Sequence, residues 1–263
     1  MQRDSAYLGV RARACWKGVR VLAHIVSGLF TIAWVFPKLS DAQKEARIQA
    51  WAQTMLVQMG IRLTVTGDLP AHGPLMLAAN HISWLDIVVL HAARHCRFVS
   101  KAELRHWPLI GTLASGAGTL FIERESRRDA MRVVHHMAES LMAGDILAIF
   151  PEGTTSNGTD LLPFHANLFQ AAIAANAPVL PVALRFEDVA SGEFSLAPCY
   201  IGDDTLLGSI WRTLTAPPLC AVVSFGEAQT AQGRDRRVWA ADVREAVLAL
   251  RYRPPVHCQP GVN

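Results

Sequence analysis

Two side chains in the first third of the chain have the types and spacing for acid–base chemistry. His81 and Asp86 lie in the segment NHISWLD, directly after the apolar run Leu75–Ala79. Histidine is the side chain whose ordinary pKa suits proton removal near neutral pH, for instance from a hydroxyl attacking a carbonyl. Asp86 can accept a hydrogen bond from the other ring nitrogen, fixing the tautomer and stabilising the imidazolium that forms. Residues five apart on an ideal helix stand roughly 140° apart around its axis, so the pair meets only if His81 lies ahead of the helix or in its first turn. Alone, the H-x4-D pattern is weak in a chain with ten histidines; a helix-capping Asp86 beside a half-buried His81 reads the same residues without chemistry.

Three further segments carry reactive or recognition groups. FPEGTTS, Phe150–Ser156, follows the apolar run Ile146–Phe150. Its proline, glycine and hydroxyl residues make a turn whose backbone N–H groups can hold an anion, or serve only to cap the next helix. GTLFIER, Gly118–Arg124, ends an apolar strand on a charge pair, and Arg124 can reach a phosphate or sit in solvent. APVLPVAL, Ala177–Leu184, is a strand with Pro181 inside it; a residue that cannot donate to a ladder predicts an edge or a bulge beside a cavity.

The elements that must position these groups follow from periodicity. Strands are predicted at Arg62–Thr66, Leu75–Ala79, Arg97–Val99, Thr119–Ile122, Ile146–Phe150, Val179–Phe186 and Leu219–Ser224. Helices are predicted at Asp41–Gly60, Trp84–Ala93, Ser126–Ala143, Asn167–Ala175 and Arg236–Arg251. This alternation predicts an α/β fold: a mixed, mostly parallel sheet flanked by helices, with an N-terminal helical membrane-associating segment. The expected organisation is a helical segment over residues 1–60, an α/β domain over 61–253 with its motif core at 75–186, and a Pro-rich tail over 254–263. Trp107–Ile122 is uncharged, but Pro108, Gly111, Gly116 and Gly118 argue against a spanning helix there.

Composition narrows the class. The chain is 51% hydrophobic and 18% charged with a net charge of +3, too small a bias to imply nucleic acid. Five scattered cysteines, none in a CxxC pair, argue against a zinc ribbon or disulfide framework and for a reducing, cytosol-facing setting. The apolar segment Val21–Phe36 carries no formal charge and is preceded by Arg11, Arg13, Lys17 and Arg20. As a helix it reaches about 24 Å, short of the roughly 30 Å hydrocarbon core, so an interfacial or re-entrant anchor is expected ahead of a single span. Lys38, Lys44 and Arg47 follow it, so flanking charge gives no orientation.

Taken in order, NHISWLD, GTLFIER, FPEGTTS and APVLPVAL resemble the four successive motifs of the glycerolipid acyltransferase family, which includes 1-acylglycerol-3-phosphate acyltransferases. The resemblance spans Leu75–Leu184. It implies an O-acyltransferase that moves a fatty acyl group from acyl-CoA or acyl carrier protein to the free hydroxyl of a lysolipid. His81 would be the general base and Asp86 its orienting partner. Lys101, Arg124, Glu152, Gly153 and Thr154 would shape the acceptor site, and Pro181 would lie beside the acyl-donor channel. No cofactor or metal is implied, and the partners are a membrane lipid acceptor and the thioester carrier. The expected location is the cytosolic face of the inner (plasma) membrane, held by a single-span or re-entrant anchor.

One departure bears on the acceptor. Many phosphate-recognising members read FPEGTRS, whereas this chain has Thr155 at the arginine position. An arginine–phosphate contact contributes about 1.5–3 kcal/mol that a threonine hydroxyl does not replace. Members with FPEGTTS followed by an LLPF-like stretch, here Leu161–Phe164, resemble lyso-ornithine lipid acyltransferases. The reading is therefore 1-acylglycerol-3-phosphate to phosphatidate, with lyso-ornithine lipid as the alternative acceptor and Lys101 or Arg185 as compensating charge. Rivals from other classes are a non-catalytic membrane-binding module, a zinc site on His91, His95 and Cys96, and a hydrolase; for the last, the GxSxG elbow is missing.

Overall fold

Apolar β-runs and amphipathic helices alternate along the chain and stack into three layers. A computed structural model describes residues 2–122 and 127–252. Helix α1 (Gln2–Phe30) continues through a π turn at Thr31–Val35 and a 3-10 turn at Phe36–Lys38. Then follow α2 (Asp41–Met59), β1 (Ile61–Thr66), β2 (Leu75–Ala79), α3 (Leu85–Ala93), β3 (Arg97–Lys101), α4 (Ile110–Gly116) and β4 (Leu120–Ile122). The remainder is α5 (Arg127–Met142), β5 (Ile146–Ile149), α6 (Phe169–Ala174), β6 (Val179–Asp188), α7 (Leu206–Thr215), β7 (Leu219–Phe225) and α8 (Arg236–Arg251).

The seven strands form one sheet in the order β1-β7-β6-β2-β5-β3-β4. Every neighbouring pair is parallel except β6 and β7, which run antiparallel from Val182↔Phe225 to Asp188↔Leu219. Alternation along β2 sends Leu75, Leu77 and Ala79 into one apolar layer and Met76 and Ala78 into the other. The first layer holds Met55, Leu56, Leu85 and Val89 from α2 and α3; the second holds Met137, Phe169, Trp239 and Val243 from α5, α6 and α8. Local chemistry sets the helix ends. Ser40 and Gln43 close a capping box on α2, and Gly60 stops it at φ 77. Asp235 caps α8 through the N–H groups of Arg237 and Val238.

Three expectations change. The helix is not confined to Val21–Phe36: a helical stretch of 31 residues, Leu8–Lys38, contains an 18-residue window long and apolar enough to cross a membrane by length and composition. Pro181 lies on an interior strand, not an edge, with Ala78 of β2 opposite. Its carbonyl accepts from Gly226 N–H at 2.9 Å. In an extended strand a residue's nitrogen points the same way as its carbonyl, so the missing N–H faces the chain just past the end of β7, where no ladder donor is needed. Finally, α4 and α7 form where no helix was predicted. The predicted tail, residues 254–263, and the start of the Ser126 helix lie outside the described residues.

Candidate active site

The carboxyl ends of β2, β5 and β3 lie side by side in the sheet, and the chemistry-bearing residues gather there, as open parallel sheets favour. Asn80, the residue after β2, is buried and locks the strand end. Its amide donates to Leu184 O at 3.0 Å and its oxygen accepts from Leu184 N at 2.7 Å. His81 follows, four residues ahead of α3, so the pair meets in the one way that the helical geometry allows.

His81 Nδ1 stands 2.8 Å from Asp86 Oδ2. The same oxygen accepts from Ile82 N at 2.6 Å and Ser83 N at 2.9 Å, and Asp86 is fully buried. With the N–H groups of Ile82 and Ser83 already donating to it, Oδ2 is fixed as the acceptor of the ring's hydrogen bond. Nδ1 therefore carries the proton, leaving the Nε2 lone pair for a substrate. The imidazole stacks on Phe150 with ring centroids 3.9 Å apart and an 11° interplanar angle, and Phe150 in turn stacks on Phe98 at 5.8 Å. Phe150 was legible only as the end of a strand; its role as a platform for the ring carries no signal in residue type or spacing.

The FPEGTTS turn is tied to His81 from both sides of the peptide. His81 N donates to Glu152 Oε1 at 2.7 Å, and His81 O accepts from Ser156 N at 2.9 Å. Glu152 Oε2 accepts from Leu162 N at 2.9 Å. Burial raises the Glu152 carboxyl above its ordinary range, while the two backbone donors and the His81 and Arg251 charges pull the other way. Glu152 thus braces backbone. Gly153 needs its glycine twice over: its φ is 72, and a Cβ there would fall 2.8 Å from the His165 ring. Gly153 and Thr154 are exposed at the turn. Thr155 is turned inward, its hydroxyl donating to Tyr200 O.

A cavity of ≈ 150 Å³ opens over this arrangement, lined by His81, Phe150, Gly153, Leu168 and, from β3, Val99, Ser100 and Lys101. The structure therefore brings together His81, Asp86, Glu152, Gly153 and Lys101. Pro181 is beside Gly226 and is not among the residues that line this cavity. Arg124 lies outside the described residues. Arg185 does not supply charge to the cavity: it is buried, with Nε 2.7 Å from Glu187 Oε1 and Nη1 donating to Arg251 O. His91 ends inside α3, whereas His95 and Cys96 fall beyond its last residue. The two imidazoles stack at 5.4 Å instead of converging their nitrogens, and among the described residues no group of three His, Cys, Asp or Glu has the arrangement to hold a metal.

The arrangement can take a proton from a hydroxyl within reach of Nε2 and hold the resulting cation beside a buried carboxylate. Comparison with known proteins points the same way. A family model described as Acyltransferase matches residues 61–185. The chain is 36% identical over 247 residues to a lyso-ornithine lipid O-acyltransferase of Pseudomonas aeruginosa, covering 91% of this chain and 94% of that protein. It is 39% identical over 197 residues to a 1-acyl-sn-glycerol-3-phosphate acyltransferase of Neisseria gonorrhoeae, covering 74% and 76%. The crystal structure of the acyltransferase PlsC from Thermotoga maritima superposes with a TM-score of 0.64 over 90% of this chain and 99% of that one, at 19% identity, so it speaks to the fold. With a relative 36% identical over nearly the whole of both chains and a second of the same class, the chain belongs to the acyltransferase family and is a lysolipid acyltransferase.

Proposed function

We propose that the enzyme transfers a fatty acyl group from an acyl-CoA or acyl-carrier-protein thioester to the free hydroxyl of a lysolipid, with His81 as general base. The single observation that carries this reading is the Asp86–His81 hydrogen bond at 2.8 Å in the wall of the cavity that His81 lines. The acceptor oxygen attacks the thioester carbonyl carbon as Nε2 takes its proton. The tetrahedral intermediate collapses with cleavage of the C–S bond, and the imidazolium returns the proton to the departing thiolate. Asp86 stabilises the imidazolium in between.

For the acceptor, we favour the zwitterionic ornithine headgroup. Thr155 replaces the arginine that would meet a phosphate, and its hydroxyl is already engaged by Tyr200 O. Lysophosphatidate is the second reading, favoured by Lys101 in the cavity wall and by the match to the Neisseria enzyme. The deciding assay offers labelled oleoyl-CoA with lyso-ornithine lipid and lysophosphatidate side by side. We expect product on the ornithine acceptor, loss of activity by about 10²–10⁴ in His81→Ala, and a gain on lysophosphatidate in Thr155→Arg. Equal activity of wild type and His81→Ala would end the general-base reading. Transfer to lysophosphatidate alone would select the second acceptor.

We place α1 in the plane of a membrane interface on the cytosolic side. Its outward stripe is apolar along its length, with Leu8, Trp16, Val19, Leu22, Val26, Phe30 and Trp34 exposed, and Arg11, Arg13 and Arg20 flank it. Its inner face packs on the fold, from Gly18 against Leu214 of α7 to Ile32 against Gly116 of α4. A helix committed to the α/β core over that length supports lying along the bilayer, since a span would draw those partners into hydrocarbon.

A further inference from the structure

Beyond the cavity-lining Lys101, a 3-10 turn at Ala102–His106 delivers the chain to an exposed corner, Trp107-Pro108-Leu109. Trp107 is 47% and Leu109 45% exposed, an unusual pairing of large apolar residues for a surface facing water. The corner is rigid. Ile110 N donates to Pro108 O at 2.7 Å, and Leu109 holds φ 64 and ψ −53, a γ-turn of positive φ that is strained for a leucine. The N–H groups of Gly111 and Leu113 close on Trp107 O and Leu109 O at 2.9 and 3.0 Å. A Cβ at Gly111 would lie 2.1 Å from Arg105 O, so the turn tolerates no bulk there.

The corner is joined to the end of α1. A Cβ on Gly116 of α4 would come 2.5 Å from Ile32 Cδ1, and one on Gly28 would come 3.3 Å from Leu113 Cδ2. Close by on α1 and the turn that extends it, Phe30 and Trp34 are 62% and 71% exposed. Arg105 and His106 flank the corner and are exposed, with Glu103 as the acid on the same turn. Aromatic and aliphatic side chains beside cations match the boundary between anionic headgroups and acyl chains.

We propose that Trp107–Leu109 is a second membrane-contact element, a fixed wedge that enters the headgroup–acyl boundary of an anionic bilayer. With α1 it defines the plane of docking and sets the His81 cavity at the level where a lysolipid hydroxyl lies. This inference rests on the interfacial reading of α1, which supplies the first contact line. A bilayer is favoured over a protein partner because α4 joins the corner to the helix that carries the exposed apolar stripe, and Arg105 stands beside it.

The test uses the full chain. In a Cys15→Ser background, Leu109→Cys is labelled with an environment-sensitive fluorophore, with the Cys15→Ser parent as the labelling blank, and mixed with phosphatidylglycerol-containing vesicles. Emission should shift to the blue on vesicle binding. A parallel Trp107→Ser/Leu109→Ser variant should show a KM about tenfold higher for a lysolipid presented in vesicles, with transfer to the same lysolipid in detergent micelles unchanged. Vesicle binding with no emission shift overturns the wedge and leaves the α1 reading standing. Failure of the wild type to bind vesicles overturns both. A blue shift that grows with protein concentration without lipid means that the corner meets another copy of the chain, and also overturns the proposal. Equal losses in vesicles and micelles would mark the corner as structural.

Discussion

The strand-end loops around His81 and the helical shell formed by α1 and α4 treat solvent in opposite ways. At the loops, buried polar groups carry dense hydrogen bonding: Asp86 Oδ2 takes three donors, although Oδ1 has no partner among the described residues, Glu152 takes two, and Asn80 makes a reciprocal pair with Leu184. At the shell, large apolar side chains are left outside, from Leu8 to Trp34 and again at Trp107 and Leu109. The first region shows how a reactive ring is positioned: by supplying more hydrogen bonds than one orientation needs. The second leaves an apolar surface outside by withholding burial. Chemistry depends on order in one region and on exposure in the other.

Substitutions should separate the two. The largest effect is expected from Glu152→Ala, which unpairs the half-buried N–H groups of His81 and Leu162, at up to about 1–3 kcal/mol each. Denaturant unfolding should register that loss, and kcat should fall with it because the His81 peptide is freed. Unchanged stability would mean that water replaces the carboxylate and that the loop is less braced than its geometry indicates.

A second test concerns the buried histidines behind the site, where the pattern of satisfied polar groups lapses. The Nδ1 atoms of His91 and His95 have no hydrogen-bond partner among the described residues. Burial depresses His91 from 6.5 to about 3, with His95 adding to the effect, and His95 to about 4, with Arg94 and Arg97 adding. A depressed histidine binds fewer protons folded than unfolded. Each therefore contributes stability that is complete above the unfolded value and is lost as pH falls from 6.5 toward 4 and 3, at up to about 1.4 kcal/mol per pH unit. Unfolding midpoints measured from pH 7 to pH 4 should show this slope, and His91→Phe should flatten it. An unaltered slope in that variant would assign acid sensitivity elsewhere.

The smallest change in stability belongs to the shell. Leu22→Ser with Val26→Ser should shift unfolding by no more than about 0.5 kcal/mol, while sedimentation with anionic vesicles drops. A large stability loss would show that the stripe is core after all.

How much of this was legible in the sequence follows from the same contrast. The interior strands are near-continuous apolar runs, and all seven were placed to within a few residues. The His81–Asp86 pairing was legible as soon as the histidine was set ahead of its helix. Helix α7 was not, because its polarity is inverted: Ser209 and Thr213 are buried while Leu207 is 79% exposed. Helix α1 was shortened because Arg11, Arg13, Lys17 and Arg20 interrupt a linear reading, although on the helix they stand beside the apolar stripe and not within it. The brace from Glu152 to the His81 peptide links residues 71 positions apart, and only the β2–β5 pairing brings them together.

That brace couples two motifs mechanically. Because the peptide of His81 is clamped on one side by Glu152 and on the other by Ser156, the FPEGTTS loop and the loop that carries His81 form one mechanical unit. A graft of another enzyme's FPEGTTS-type turn, made to redirect the acceptor, would re-aim the imidazole as well. The two loops move as a pair.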